Sequence, residues 1–323
     1  MPILDILIGA LMASHPISAE LTEAAVTQPG GGRPPRLREH TAVQRGELEL
    51  VPATEDPIAP SWVEITEVDD ERVIRSNSIS RHKTGKFPNP GNPNRITEQN
   101  VEYRVPLEPV LAEAPVYYQL GTFGVALNGV VLEPQAAEWY LGQAGSEWQY
   151  DPLGAAVPLG LDAHKAHVQP QGLYHYHGLP EVLPTDVDAT WDKPLGEGEF
   201  VMTDLPQLKH VGWALDGYPI YIALGYGDRY ASAWVLRNGE RPSGDGEPGG
   251  YYDGTFLADY RFAGGTRLNE CNAAYEDLGA GMEEWAYFLT DTFPYIPRCF
   301  IGEPIDGAIV MDAEGRMRGR PRR

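Results

Sequence analysis

Glycine and proline interrupt this chain so often that no long helix can be laid over it: 36 glycines and 29 prolines fall among 323 residues. Proline fixes φ and removes a backbone donor, while glycine favours turns, so each marks a break. Between the breaks stand short runs rich in Val, Ile, Tyr and Phe, at Trp62 to Val68, Val101 to Val105, Tyr117 to Leu132 and Val211 to Leu224. Short strands with closely spaced turns predict a mainly β fold, a single sandwich- or barrel-like domain with a few short helices and long loops. The short helices are expected within Gln135 to Gln143 and Asn272 to Trp285. Asn128-Gly129, flanked by Phe123 to Leu127 and Val130 to Leu132, predicts a hairpin closed by a type I′ turn, because Asn-Gly accepts positive φ.

The ends read differently. Ile3 to Met12 is apolar and is followed by small residues up to Ala19, which suggests a signal segment over residues 1–19, although no positive charge precedes it. Residues 20–60 contain Gln28-Pro-Gly-Gly-Gly-Arg-Pro-Pro-Arg36 and little hydrophobic period, as in a disordered tail or linker. The β domain is expected over 61–309, with a basic tail over 310–323. No stretch is long and apolar enough to span a membrane.

Acidic residues outnumber basic ones by 46 to 25, a formal charge of −21. Such a field repels nucleic acid and anionic membrane and concentrates cations. A metal ion is therefore a more natural partner than a polyanion, and a small molecule or glycan is an acceptable substrate.

Four of the eight histidines lie between His164 and His177. In a strand, alternate side chains share a face, so His175 and His177 point one way and Tyr174 and Tyr176 the other. In Gln169-Pro-Gln-Gly172 the proline suits a type I turn, and the glycine suits the left-handed residue of a three-residue hairpin loop. That loop places His167 opposite His175, on the face shared with His177. Three imidazoles then converge, a donor set suited to copper, zinc or iron. A two-residue loop would instead set His164 opposite His177, but primed turns do not accept proline at their first central position. The three-residue register has one cost: Lys165 falls opposite His177.

Cys271 and Cys299 are the only cysteines. A pair with nothing left over suits one disulfide, worth about 3–4 kcal/mol by loop entropy, and two buried thiols are the alternative.

Leu173-Tyr-His-Tyr-His-Gly-Leu-Pro180 resembles the signature of the YHYH-domain family, and further blocks follow the family's order. These are Ser80 to Asn89 with Gly91 to Asn94, Phe123 to Gly129, Ala166 to Pro170, Leu215 to Tyr221, and Cys271-Asn272 through Phe293 to Phe300. The resemblance implies a secreted or periplasmic domain and supports pairing Cys271 with Cys299. It implies little about chemistry, since the family's function is largely unassigned. Where relatives tend to carry a second Tyr- and His-bearing strand, this chain reads Glu284-Trp-Ala-Tyr-Phe288. The first cluster must then carry the site largely alone.

His82 and His210 are candidate fourth ligands, and Asp216 is a candidate carboxylate for orienting an imidazole. The expectation is an exported metal-binding protein, with copper favoured and zinc or iron next, acting as a metal-dependent oxidoreductase or hydrolase. Competing expectations are a metal-free enzyme using Tyr174 or Tyr176 with a histidine as acid and base on polysaccharide, and a non-catalytic carbohydrate-binding module.

Overall fold

The computed structural model describes residues 40–118, 120–187, 207–278, 281 and 283–304. The expected signal segment, residues 20–39 of the expected linker and the basic C-terminal tail lie outside these residues. The fold is mainly β, and its sheets do not close into a barrel.

The largest sheet has eight strands. In spatial order they are Ala273–Asp277, Glu283–Leu289, Pro219–Leu224, Gln207–Ala214, Gly124–Ala126, Val131–Leu132, Tyr174–Tyr176 and Ala166–Val168. Most neighbours are antiparallel, but Tyr174–Tyr176 runs parallel to Val131–Leu132, and Pro219–Leu224 runs parallel to Glu283–Leu289. The histidine hairpin therefore forms one end of the sheet. A three-stranded sheet of Val63–Val68, Glu71–Ser76 and Val101–Pro106 lies apart from it in pairing, and Cys299–Gly302 pairs with Leu111–Tyr117. The main core gathers Val105, Phe123, Leu132, Val168, Tyr174, Tyr176, Ile220, Tyr287 and Phe300, and Cys271 and Cys299 are disulfide-bonded within it.

Three local expectations are corrected. Gln135 to Gln143 is not helical: Tyr140 N donates to Trp148 O at 3.0 Å and Tyr150 N to Glu138 O at 3.0 Å, which makes a hairpin-like ladder. Asn272 to Trp285 is not helical either. Ala273–Asp277 and Glu283–Leu289 are paired antiparallel strands, with Ala274 and Ala286 facing each other in the interior. Helix formers such as Ala274, Glu276 and Glu284 here yield to strand pairing, since tertiary context overrides propensity.

The Asn128-Gly129 hairpin exists, but its turn is not type I′. Only Gly129 has positive φ, +85°. Gly129 N donates to Ala126 O at 2.8 Å and Ala126 N to Val130 O at 2.9 Å, so the loop has three residues. Asn128 keeps ordinary φ because its buried side chain is committed elsewhere: Oδ1 accepts from Val130 N at 3.1 Å and Nδ2 reaches Tyr176 and Asp186.

The expected linker is ordered in its second half. Leu48 and Leu50 pack on the cluster of Trp148, Tyr150, Leu153 and Phe256. Val51 N donates to Leu161 O and Ala163 N to Val51 O, both at 2.9 Å. Arg241, 3% exposed, donates to Val43 O at 2.8 Å and pairs with Asp253 and Asp259 at 2.6 Å each. Alternating leucines and these few anchors hold a segment whose composition alone reads as loose.

Candidate metal centre

The hairpin register follows from its turn. Gly172 N donates to Gln169 O at 2.8 Å, Gln169 N to Leu173 O at 2.9 Å, and Gly172 has φ +95°. This is the three-residue loop with a left-handed glycine, and it sets His175 opposite His167 and Tyr176 opposite Ala166. Lys165 does not intrude. Its backbone carbonyl accepts from His177 N at 2.8 Å, while its Nζ turns away to Glu181 at 3.1 Å.

His167, His175 and His177 consequently meet. Their ring centroids are pairwise 4.7 Å apart, with the rings steeply inclined to one another. His177 Nε2 stands 3.0 Å from His175 Nε2 and 3.0 Å from His167 Nε2. His175 and His177 are buried, and His167 alone of the three is partly exposed.

The outer ring nitrogens settle the proton positions. His167 Nδ1 contacts Leu159 O at 2.9 Å and His175 Nδ1 contacts Leu173 O at 3.2 Å. A carbonyl can only accept, so each Nδ1 carries the proton and donates, and each Nε2 presents a bare lone pair. Burial lowers all three pKa values: His175 to about 4, His167 to about 3 with help from His175, and His177 well below its ordinary value. The imidazoles are therefore neutral at physiological pH. A neutral His177 has at most one Nε2 proton to offer to two facing lone pairs, and one ion would satisfy all three nitrogens. Two nitrogens about 2.0–2.1 Å from a tetrahedral ion stand about 3.3–3.4 Å apart, so the rings need open only slightly.

These shifts would set the pH range over which the trio could take a metal ion. Protons compete with a metal only where free imidazole would be protonated, and here that begins near pH 4 rather than 6.5. Metal stoichiometry is expected to stay level from pH 7.5 to about 5 and to fall as the pH drops through about 4. Equilibrium dialysis across this range checks it; loss already complete near pH 6 would show that the rings are not held neutral.

The hairpin's other face is built differently. Tyr176 Oη donates to His82 Nε2 at 2.6 Å, His82 Nδ1 donates to Lys83 O at 2.7 Å, and Asn128 Nδ2 donates to Tyr176 Oη at 2.9 Å and to Asp186 Oδ2 at 2.6 Å. Tyr174 Oη donates to Asp162 Oδ2 at 2.7 Å. Both tyrosines are buried in the main core, on the face of the hairpin opposite the trio. His82 lies with them, its ring tilted against that of His164 at 4.2 Å between centroids. Neither histidine joins the trio.

His210 is also elsewhere, its Nε2 at 2.9 Å from Gly212 O and its ring against Trp213 and Tyr221. Asp216 orients no imidazole among the described residues. It accepts from Tyr287 Oη at 2.5 Å and from Gly302 N at 2.9 Å, which ties two parts of the core together.

The carboxylate that does face the trio is Glu133, unforeseen from the sequence. Its Oε2 lies 3.8 Å from His175 Nε2 and accepts from Gln169 Nε2 at 2.6 Å, while Oε1 accepts from Thr122 Oγ1 at 3.0 Å. Burial raises its pKa. Gln169 was legible, since strand alternation puts it on the histidine face. Glu133 was not, because it arrives through the parallel pairing of Val131–Leu132 with the histidine strand.

Fold and site together define a mainly β protein that buries a three-histidine cluster on the terminal hairpin of its central sheet. The chain belongs to the YHYH protein family, whose model matches residues 102–302. No curated protein and no solved structure matches it.

Proposed function

We propose that this is an exported metal-binding protein in which His167, His175 and His177 hold one transition-metal ion. The observation that carries the reading is the convergence of three Nε2 atoms, two of them bare lone pairs fixed by carbonyls behind the rings. Copper is the first choice, because imidazole sites in oxidising compartments suit it and the divalent affinity order favours it; zinc and iron follow. Export is supported by the disulfide and by the apolar N-terminal run. Among the described residues no helix is long and apolar enough to cross a membrane.

Three protein ligands leave a coordination position open, so the bound ion would supply Lewis-acid or redox chemistry. The chain's own contribution is to orient the rings through Leu159 and Leu173 and to set the Glu133 carboxylate beside them. This points to a metal-dependent oxidoreductase or hydrolase.

The test is elemental analysis of untagged protein, exported by its host and dialysed without chelator, beside a His175→Ala, His177→Ala variant. About one equivalent of copper, zinc or iron is expected in the first and none in the second. No stoichiometric metal, even after reconstitution, would overturn the proposal.

A further inference from the structure

The carboxylate beside the trio is fixed from both its backbone and its tip. Val131–Leu132 runs parallel to the histidine strand, with Val131 beside His175 and Leu132 beside Tyr176, and Glu133 N continues the ladder by donating to Tyr176 O at 2.9 Å. Alternation then sends the Glu133 side chain to the face that carries His175 and His177. Its two oxygens are held by donors that are themselves held. Oε2 accepts from Gln169 Nε2 at 2.6 Å, and the amide of Gln169 is oriented by Gln171, whose Nε2 donates to Gln169 Oε1. Oε1 accepts from Thr122 Oγ1 at 3.0 Å; with its proton so used, that hydroxyl can only accept from Tyr103 Oη, 3.4 Å away.

These contacts leave the carboxylate with acceptor capacity to spare, since it has about four lone-pair sites and two donors occupy two of them. The imidazole next to it cannot use the rest. His175 Nε2 lies 3.8 Å from Oε2, too far for a hydrogen bond, and with its proton on Nδ1 it has no hydrogen to give. Nor is Glu133 placed as a fourth ligand. The ligand nitrogens of the trio all lie within 4.8 Å of one another and Glu133 does not belong to that group, whereas two atoms bound to one ion at about 2.0–2.1 Å stand no more than about 4.2 Å apart. Glu133 therefore carries free lone pairs just outside the shell that the trio can form.

What these lone pairs can bond is the molecule in the coordination position that three histidines leave open. That molecule meets a negative charge held by neutral donors, in a protein whose total charge is −21. An anion there is repelled at close range, where burial weakens screening. A neutral molecule with a hydrogen on its coordinating atom gains instead, because it can donate that hydrogen to Glu133, and hydrogen bonds to a charged acceptor are the strong ones.

We propose that Glu133 sets the ligand specificity of the trio's site: it accepts a hydrogen bond from the molecule in the open position, and so selects a neutral O–H or N–H compound over an anion. The inference rests on the metal reading above.

The test uses full-length protein loaded with Cu(II), titrated separately with azide, with ammonia and with imidazole, and read by the visible copper band and electron paramagnetic resonance. Azide is an anion, ammonia is neutral with hydrogens on its coordinating nitrogen, and neutral imidazole has none there and serves as the control. Wild type, Glu133→Gln and Glu133→Asp are compared at one pH, with ammonia counted as its neutral fraction and copper content measured on each sample. In Glu133→Gln, which keeps the shape and loses the charge, azide affinity is expected to rise at least about tenfold and ammonia affinity to fall severalfold, with imidazole within about threefold of wild type. In Glu133→Asp, which keeps the charge but withdraws it from the open position, ammonia affinity is expected to fall while azide stays within about threefold. Opposite signs for azide and ammonia are what a merely structural role would not give. Azide affinity unchanged or lowered in Glu133→Gln would overturn the proposal, as would movement of all three ligands in one direction. Should Glu133→Gln not fold, Glu133→Asp decides, and ammonia affinity equal to that of wild type would overturn the proposal. Failure of wild type to take up copper would overturn the metal reading and this inference with it, whereas copper uptake with azide and ammonia affinities independent of Glu133 overturns this inference alone.

Discussion

Replacing His177 by alanine is expected to weaken metal binding by at least about 100-fold, more than the 10- to 100-fold typical of residues that only orient a ligand. His177 touches both partners: its Nε2 lies 3.0 Å from His175 Nε2 and 3.0 Å from His167 Nε2. Without it, His167 and His175 remain as a pair with no third nitrogen between them. Isothermal titration of the metal-free variant with Cu(II) or Zn(II) measures the loss. His210→Ala serves as the control, because this ring bonds to Gly212 O and packs on Trp213 and Tyr221, away from the trio. It is expected to leave metal affinity within about threefold of wild type. A large loss in this control, or none in His177→Ala, would mean that the ion sits elsewhere.

Breaking the disulfide is the second large effect. Cys271 and Cys299 are both buried and join the start of Ala273–Asp277 to the start of Cys299–Gly302 across 28 residues. Around that bond lie Tyr118, stacked on Phe300 at 4.9 Å, and Phe300 stacked on Phe123 at 5.2 Å, so the crosslink fixes a strand that the aromatic core is built on. Cys271→Ser with Cys299→Ser is expected to cost about 3–4 kcal/mol by loop entropy and to lower Tm by roughly 5–15 °C. Calorimetry under non-reducing conditions checks this. A change below about 1 kcal/mol would show that the core holds this strand unaided.

The histidine site was readable because its determinants are local. Pro170 and Gly172 fix the loop length, the loop length fixes the register, and alternation then places His167, His175, His177 and Gln169 on one face. The same reasoning misjudged the Asn128-Gly129 turn, because Asn128 serves a buried network whose other members, Tyr176 and Asp186, lie 48 and 58 residues away. Distance in sequence also hid Glu133, which reaches the trio through a parallel strand pair. His82 and His210 could not be sorted from the trio by spacing alone, since each is directed by packing against residues far along the chain.

The YHYH signature thus divides its work by alternation. Its tyrosines anchor the hairpin to the core through His82, Asn128 and Asp162, and its histidines are left to meet His167 on the opposite face. Because the tyrosine hydroxyls are already bonded, the hairpin cannot slide without breaking them, and a one-residue slip would turn every histidine into the core.

The most direct test of the central claim is X-ray absorption at the metal edge of protein loaded with one equivalent of copper or zinc. Three imidazole nitrogens at about 2.0–2.1 Å, with one further light-atom ligand, are the expected shell. A shell with fewer than three imidazoles, or one composed of carboxylate oxygens alone, would contradict the assignment of the ion to His167, His175 and His177.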